Sequence, residues 1–164
     1  LLSEHPGLLQ AESSWGETAL QAAAQTRQEA IARLLLEAGA PLDLPAAAAF
    51  GRMAEAQAML QEDPGLVRQP GAHGYPVLYF AAIAGDQEMA QLLSEYGAEI
   101  NAGHGLMTPL HGAVLFDQLE MARWLVSRGA SLKASDSEGR TPVDLARELN
   151  REEILKVLVA NPSP

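Results

Sequence analysis

Few side chains in this sequence are spaced for catalysis. Adjacent carboxylates occur at residues 62–63 and at residues 152–153. Neighbouring positions on a helix point about 100° apart, so the members of neither pair converge for acid–base chemistry. The serines at 13–14 have no histidine near them in the sequence that could act as their base. Since no nucleophile, base and oxyanion donor come together, we expect no enzymatic activity.

Two histidines give the best case for a metal or small-ligand site. His73 and His104 lie three and four residues before two similar helix-opening motifs, which places both at the tips of adjacent loops. Two nearby imidazoles could bind a metal, but a closed zinc site takes about four ligands and the sequence names only these two. The plainer interpretation is that both are exposed loop histidines. We expect no cofactor and keep metal or small-ligand binding near His73/His104 as an alternative.

Composition narrows the classes of function. The chain has 164 residues, 48% of them hydrophobic, which suits a single folded domain over residues 1–164. Its net charge of −10 argues against nucleic-acid binding, which depends on neutralising phosphates. Cysteine is absent, so disulfides and thiol chemistry are excluded, and no apolar run approaches the ~18 residues of a membrane helix. We expect a cytoplasmic monomer that binds no membrane, with periplasmic or secreted locations left open.

An internal repeat is the strongest signal in the sequence. Five segments share one frame, starting at residues 18, 42, 76, 108 and 141, and the fullest copy is Thr-Pro-Leu-His-Gly-Ala from Thr108 to Ala113. Paired apolar residues follow in each unit, and in three units Gly-Ala comes after them. Threonine caps a helix, proline suits its first turn and glycine ends one, so each unit predicts two helices. Such a pair buries both faces only by stacking on its neighbours.

The Thr-Pro-Leu-His and Gly-Ala motifs, repeated at a period near 33 residues, resemble the ankyrin repeat. The resemblance implies an all-α fold, an α-solenoid of stacked helix-turn-helix repeats with β-turn fingers. The spacing of only 24 residues before the second unit predicts that one finger is missing. Frequent alanine and an excess of arginine over lysine suggest a bacterial source. The resemblance divides the chain into a partial N-terminal repeat at 1–17 and repeats at 18–41, 42–75, 76–107, 108–140 and 141–164, the last a C-terminal cap.

The resemblance also implies a non-catalytic protein–protein interaction module. In ankyrin repeats the contact positions are the finger tips and the helix residues after an Ala-Ala pair, along the concave face. Ile83, Leu115 and Phe116 could instead pack between repeats, and the sequence leaves that open. Carried onto this sequence, the residues expected to contact a partner are Trp15, Phe50, Tyr75, Ile83, His104, Met107, Leu115 and Phe116.

The charge distribution bears on the kind of partner. Residues 1–100 contain 13 acidic and 4 basic side chains, so the unknown protein partner is expected to present a basic or mixed surface near the N-terminal repeats. An alternative function is a regulatory or targeting segment of a larger protein whose upstream part, before Leu1, is missing.

Overall fold

The structure is a computed structural model that describes residues 6–13 and 17–160. Within these ranges the regular elements are helical, and one isolated bridge joins Glu12 to Thr18. Short 3-10 turns occur at Pro6–Leu9, Pro64–Arg68 and Ala72–Gly74. The α-helices form five consecutive pairs: α1 (Ala19–Gln25) with α2 (Glu29–Glu37), α3 (Leu44–Ala49) with α4 (Met53–Glu62), α5 (Val77–Ala84) with α6 (Gln87–Glu95), α7 (Pro109–Leu115) with α8 (Leu119–Ser127), and α9 (Pro142–Glu148) with α10 (Glu152–Ala160).

The first helices of the five pairs make one layer. They contact each other in chain order, from α1 to α3, α5, α7 and α9. Each second helix packs on the first helix of its own pair, which gives an outer layer. The chain is therefore an all-α solenoid of stacked helix pairs, as the repeat predicted.

Capping residues fix where the first helices begin. Three of them start with a capping box, in which the threonine hydroxyl accepts from the backbone N–H three residues later, and that later side chain accepts from the threonine N–H. The partner is Gln21 in α1, His111 in α7 and Asp144 in α9. Such a cap contributes about 1 kcal/mol. The motif position occupied by histidine in one copy thus keeps its capping role where glutamine or aspartate replaces the histidine.

A left-handed residue joins the two helices of every pair. The residues with positive φ at this turn are Arg27, Gly51, Gly85, Asp117 and Asn150, separated by 24, 34, 32 and 33 residues. These are the intervals of the sequence repeat, so the turn is part of the repeating unit. Glycine suits Gly85 in particular, because its φ is left-handed and a Cβ there would displace the side-chain end of Gln118.

Small side chains let the first helices approach closely. Every residue of α3 is buried, and its four alanines have no exposed area. Gly112 of α7 lies against α5, since a Cβ there would come within 2.8 Å of the Tyr79 ring. Tyr79 and Phe80 are among the largest fully buried side chains of the described residues. Burying one such ring contributes ~1.5–3 kcal/mol, so this interlocking is a main source of stability.

The two irregular connections are related. α2 ends at Glu37 and α3 begins at Leu44, so no finger separates them, as the short spacing predicted. The longer connection at 63–76 folds back over the earlier helices. A Cβ on Gly71 would lie 2.6 Å from the Phe80 ring and 2.8 Å from Pro45 of α3. This connection therefore covers helices on the side where a finger is missing.

Candidate functional site

Three long connections lie along one edge of the solenoid. They are residues 63–76 before α5, residues 96–108 before α7 and residues 128–141 before α9. We call this surface the finger edge. The backbone N–H of Gly105 donates to the carbonyl oxygen of Ser135 at 3.0 Å, which joins the second connection to the third.

Further contacts hold the three connections in register. The Asn101 side chain donates to the carbonyl oxygen of Gly129 at 3.1 Å and accepts from the N–H of Ser131 at 2.7 Å. Leu106 reaches the first connection, where a Cβ on Gly74 would lie 3.4 Å from its Cδ1. The finger edge is therefore a continuous, internally bonded surface rather than a set of independent loops.

A buried histidine ties a helix start to the third connection. His111 Nδ1 accepts from the N–H of Thr108 at 3.3 Å, so Nε2 carries the proton and donates to the carbonyl oxygen of Arg140 at 3.0 Å. His111 has 0% exposure. Burial lowers the pKa of His111 and outweighs the bond to Arg140, which would raise it. The ring is therefore neutral at pH 7 and structural.

Asp136 organises the tip of the same connection. Its Oδ1 accepts from the backbone N–H groups of Glu138 and Arg140, both at 2.9 Å, and its Oδ2 accepts from Arg140 Nε at 2.9 Å. Burial would raise the pKa of Asp136, but these hydrogen bonds and the guanidinium charge outweigh it and lower the pKa. The carboxylate stays ionised and holds the turn in one shape.

The finger edge presents apolar side chains to solvent. Leu106 is 37% exposed, His104 is exposed, and Tyr75 and Met107 are half-buried. The ring centroid of Tyr75 lies 4.7 Å from that of Tyr79. Burial, and then the Asp136 charge, raise the pKa of the Tyr75 hydroxyl, so it stays protonated and able to donate. Three of the predicted contact residues, Tyr75, His104 and Met107, thus belong to one surface.

Other predicted contact residues lie at the opposite ends of the first helices. Phe50 is the C-cap of α3 and lines a groove of about 830 Å³ beside α2. Phe116 is the C-cap of α7, and Leu115 precedes it. The seven residues of α7 span ~10 Å, which separates these two residues from the finger edge. All three are half-buried against the core. The expected single concave cluster is thus divided into two groups.

The structure corrects the expectation for Ile83. This residue has 0% exposure and packs where α5 meets α7, since a Cβ on Gly112 would come within 3.0 Å of its Cγ2. It is core between helix pairs, the alternative that the sequence left open, and cannot touch a partner in this conformation. Trp15 lies outside the described residues.

The two candidate metal ligands have separate surroundings. His73 Nε2 lies 3.3 Å from Glu17 Oε2, and its ring centroid is 5.9 Å from that of Tyr75. His104 is exposed, and neither the ion pair nor the ring contact that His73 forms involves it. Across residues 6–13 and 17–160, no three side chains of His, Asp or Glu are grouped for a metal ion.

The sequence did not predict which apolar residues of the repeat frame are exposed. Leu106 is a finger position next to the expected contact residue Met107, and the structure exposes Leu106 more than Met107. Ile31 and Leu34 of α2 are 49% and 60% exposed. In the repeat, Ile31 and Leu34 align with residues of later helix pairs that are buried or half-buried, such as Met121 and Trp124. The alignment therefore predicts burial for Ile31 and Leu34, and their exposure could not be predicted from it.

Comparisons with known proteins fit this architecture. The family model described as "Ankyrin repeats (3 copies)" matches residues 44–136 and 104–164, and that described as "Ankyrin repeat" matches residues 15–55. Human "Cyclin-dependent kinase inhibitor 2A" is 35% identical over 119 residues, which are 71% of this chain and 75% of that protein. Rat "Cyclin-dependent kinase 4 inhibitor B" is 32% identical over 130 residues, 77% of this chain and 97% of that protein.

A third relative is human "Protein phosphatase 1 regulatory subunit 27", 37% identical over 73 residues, which are 44% of this chain and 47% of that protein. The names describe two kinase inhibitors and a regulatory subunit, so homologues of this chain are protein-interaction modules. All three come from mammals, and the comparisons give the expected bacterial origin no support. In the described part of the chain, no helix has the length and apolar character needed to cross a membrane.

Proposed function

Because this chain belongs to the ankyrin repeat family, we propose that it is a non-catalytic module that binds a protein partner through its finger edge. The contact residues are Tyr75, His104, Leu106 and Met107. The repeat units are those read from the sequence, with a partial repeat at 1–17 and the last unit, at 141–164, as a cap. The partner is a protein with a basic or mixed surface, since residues 1–100 are strongly acidic.

The exposure of Leu106 on a bonded finger carries the proposal. Its connection is held by hydrogen bonds to the next one, and its side chain rests against Gly74 of the previous one. An apolar side chain fixed in this way loses little entropy on binding, and burying it in a partner is favourable. Tyr75 adds a half-buried aromatic ring with a protonated hydroxyl, which suits an interface anchor.

The experiment compares a double variant of the finger edge with a single-substitution control on the same chain. A partner is captured from lysate of the source cell with the wild type, identified, and its affinity measured for each variant. We expect Tyr75→Ala with Leu106→Ala to weaken binding by ~2–4 kcal/mol, since anchors cost ~1–3 kcal/mol each. The control, Leu34→Ala, removes an exposed leucine from α2 and should leave binding unchanged. Equal affinity of all three proteins would refute the finger edge as the binding surface.

A cyclin-dependent kinase is the first defined partner to test. The match to "Cyclin-dependent kinase 4 inhibitor B" covers 97% of that protein, so the shared region includes nearly all of the inhibitor. The direct test is calorimetric titration of purified cyclin-dependent kinase 4 with the chain. Saturable binding that the Tyr75/Leu106 variant loses would support this candidate, and no heat at micromolar concentrations would remove it.

A further inference from the structure

The outer helices form a second surface that is separate from the finger edge. A groove of about 470 Å³ runs across α4, α6 and α8. Its apolar floor consists of Met53, Leu92 and Trp124, one residue from each helix. Glu88 and Glu95 of α6 flank this floor. The finger edge is built from connections, whereas this groove is built from second helices, so a ligand of one need not touch the other.

Trp124 is held in a fixed position at the end of the groove. The guanidinium carbon of Arg128 lies 4.5 Å from the centre of its ring, and Arg128 Nη2 donates to Gln91 Oε1 at 2.6 Å. These contacts join α8 to α6 across the groove. Trp124 and Leu92 remain half-buried. An indole held this way is a preorganised apolar contact that a ligand can use without ordering it first.

The lining of the groove contains two carboxylates, and the basic side chain beside it, Arg128, is held against Trp124 and Gln91. Among the described residues, neither Glu88 nor Glu95 forms an ion pair, and the bond that Glu95 accepts comes from the neutral amide of Gln91, at 2.7 Å. Seven residues of helix separate the two carboxylates, which is ~10 Å along α6. A ligand that fits therefore carries two positive charges at this spacing around an apolar group.

We propose that this groove docks a basic, proline-rich protein segment, with one arginine or lysine at Glu88, a second at Glu95, and an apolar side chain between them on Trp124 and Leu92. In a polyproline II segment, residues i and i+3 lie on the same face and ~9 Å apart, which is close to the ~10 Å rise between positions 88 and 95 along α6. Electrostatic complementarity selects this class of partner, because the groove repels an acidic segment.

The test uses Trp124 as its own reporter. The chain has two tryptophans, so Trp15→Phe leaves Trp124 as the single one. In this background, the fluorescence emission of Trp124 is followed during titration with a short proline-rich peptide. The peptide has two arginines three residues apart and a leucine between them. We expect a saturable change in emission. The variant Glu88→Gln with Glu95→Gln should weaken binding by about tenfold, as expected for two partly exposed ion pairs.

A matched control removes two carboxylates elsewhere. Glu62→Gln with Glu152→Gln changes the net charge equally, on exposed positions of α4 and α10, and should leave the affinity unchanged. Circular dichroism melting confirms that each variant is folded. No saturable change in the parent protein would overturn the proposal. So would equal weakening in both double variants, because it would show attraction to net charge rather than to this groove.

Discussion

His111 Nε2 lies 3.0 Å from the backbone carbonyl oxygen of Arg140, which is 29 residues later in the chain. This hydrogen bond connects the start of α7 to the connection that precedes α9. His111 also closes the capping box of α7, and the second connection of the finger edge leads into α7. The hydrogen bond therefore fixes the position of the third connection relative to the second. The geometry of the proposed binding surface therefore depends on a buried, neutral imidazole.

Acid should weaken the protein through His111. Its folded-state pKa is lowered, so below about pH 6.5 the unfolded chain takes up a proton that the folded chain resists. The stability that His111 contributes is full above pH 6.5 and declines as pH falls below it. The free energy of unfolding of wild type and of His111→Gln is measured in urea at pH 7.5 and at pH 5.5. We expect the decrease from pH 7.5 to pH 5.5 to be larger for wild type than for His111→Gln.

His111→Gln has a precedent within the chain. Gln21 occupies the same motif position and closes the capping box of α1. The variant should keep the cap and lose the bond to Arg140, whose carbonyl oxygen still accepts from the Asp136 N–H at 2.9 Å. We expect it to be destabilised at pH 7.5 by ~0.5–1.5 kcal/mol, the net value of one hydrogen bond. An identical pH slope in both proteins would show that other groups control the acid response.

Asp136→Asn should loosen the third connection. The substitution removes the charge that three donors share in a side chain that is 1% exposed. We expect a loss of ~1.5–3 kcal/mol in the free energy of unfolding, the range for hydrogen bonds to a charged group. Hydrogen exchange should also accelerate at residues 136–140. A loss below ~0.5 kcal/mol would contradict the role of Asp136.

Gly85→Ala should cost more than the same change at the equivalent turn. Both Gly85 and Gly51 have left-handed φ, +71° and +63°, so alanine at either position costs ~1–2 kcal/mol. At Gly85 the added Cβ also meets Gln118 at 2.3 Å, whereas at Gly51 the nearest atom is 3.5 Å away. The free energy of unfolding, obtained from thermal melts, should therefore fall by a further ~1 kcal/mol or more in Gly85→Ala than in Gly51→Ala. Equal melting temperatures would mean that Gln118 moves freely, although its side chain donates to the Ile83 carbonyl oxygen at 3.1 Å.

Phe116→Ala separates a packing role from a binding role. Phe116 is half-buried against the core and lies at the far end of α7 from the finger edge. We expect the substitution to lower the free energy of unfolding by ~1–3 kcal/mol, less than for a fully buried ring. Affinity for the partner should stay within twofold of wild type. A folded variant that loses the partner would extend the binding surface to this turn.

The sequence predicted the repeating parts of the fold because they recur. Threonine, proline and glycine at fixed intervals placed the helix pairs, and one short interval placed the missing finger. The back-folding of residues 63–76 could not be predicted in this way. It depends on the close approach of Gly71 to Pro45 and Phe80, which is a tertiary contact without a local signal.

The candidate site was predicted less completely. Finger positions follow from the frame, so the sequence placed Tyr75, His104 and Met107 on the connections where the structure has them, and their contact with a partner stays a prediction. Ile83 was misassigned because α5 is apolar along its whole length and has no polar residue to mark an outer face. Leu106 is a finger position as well, but side chains in an irregular connection alternate with no fixed period, so its greater exposure than that of Met107 had to be seen in the structure.

Amide hydrogen exchange of the chain, free and saturated with its captured partner, tests the binding surface most directly. If the finger edge is the interface, exchange slows at residues 72–76 and 103–107 and is unchanged in α2 and at the turn around Phe116. Protection confined to α2 or to that turn, with the finger edge exchanging as in the free protein, would contradict the account.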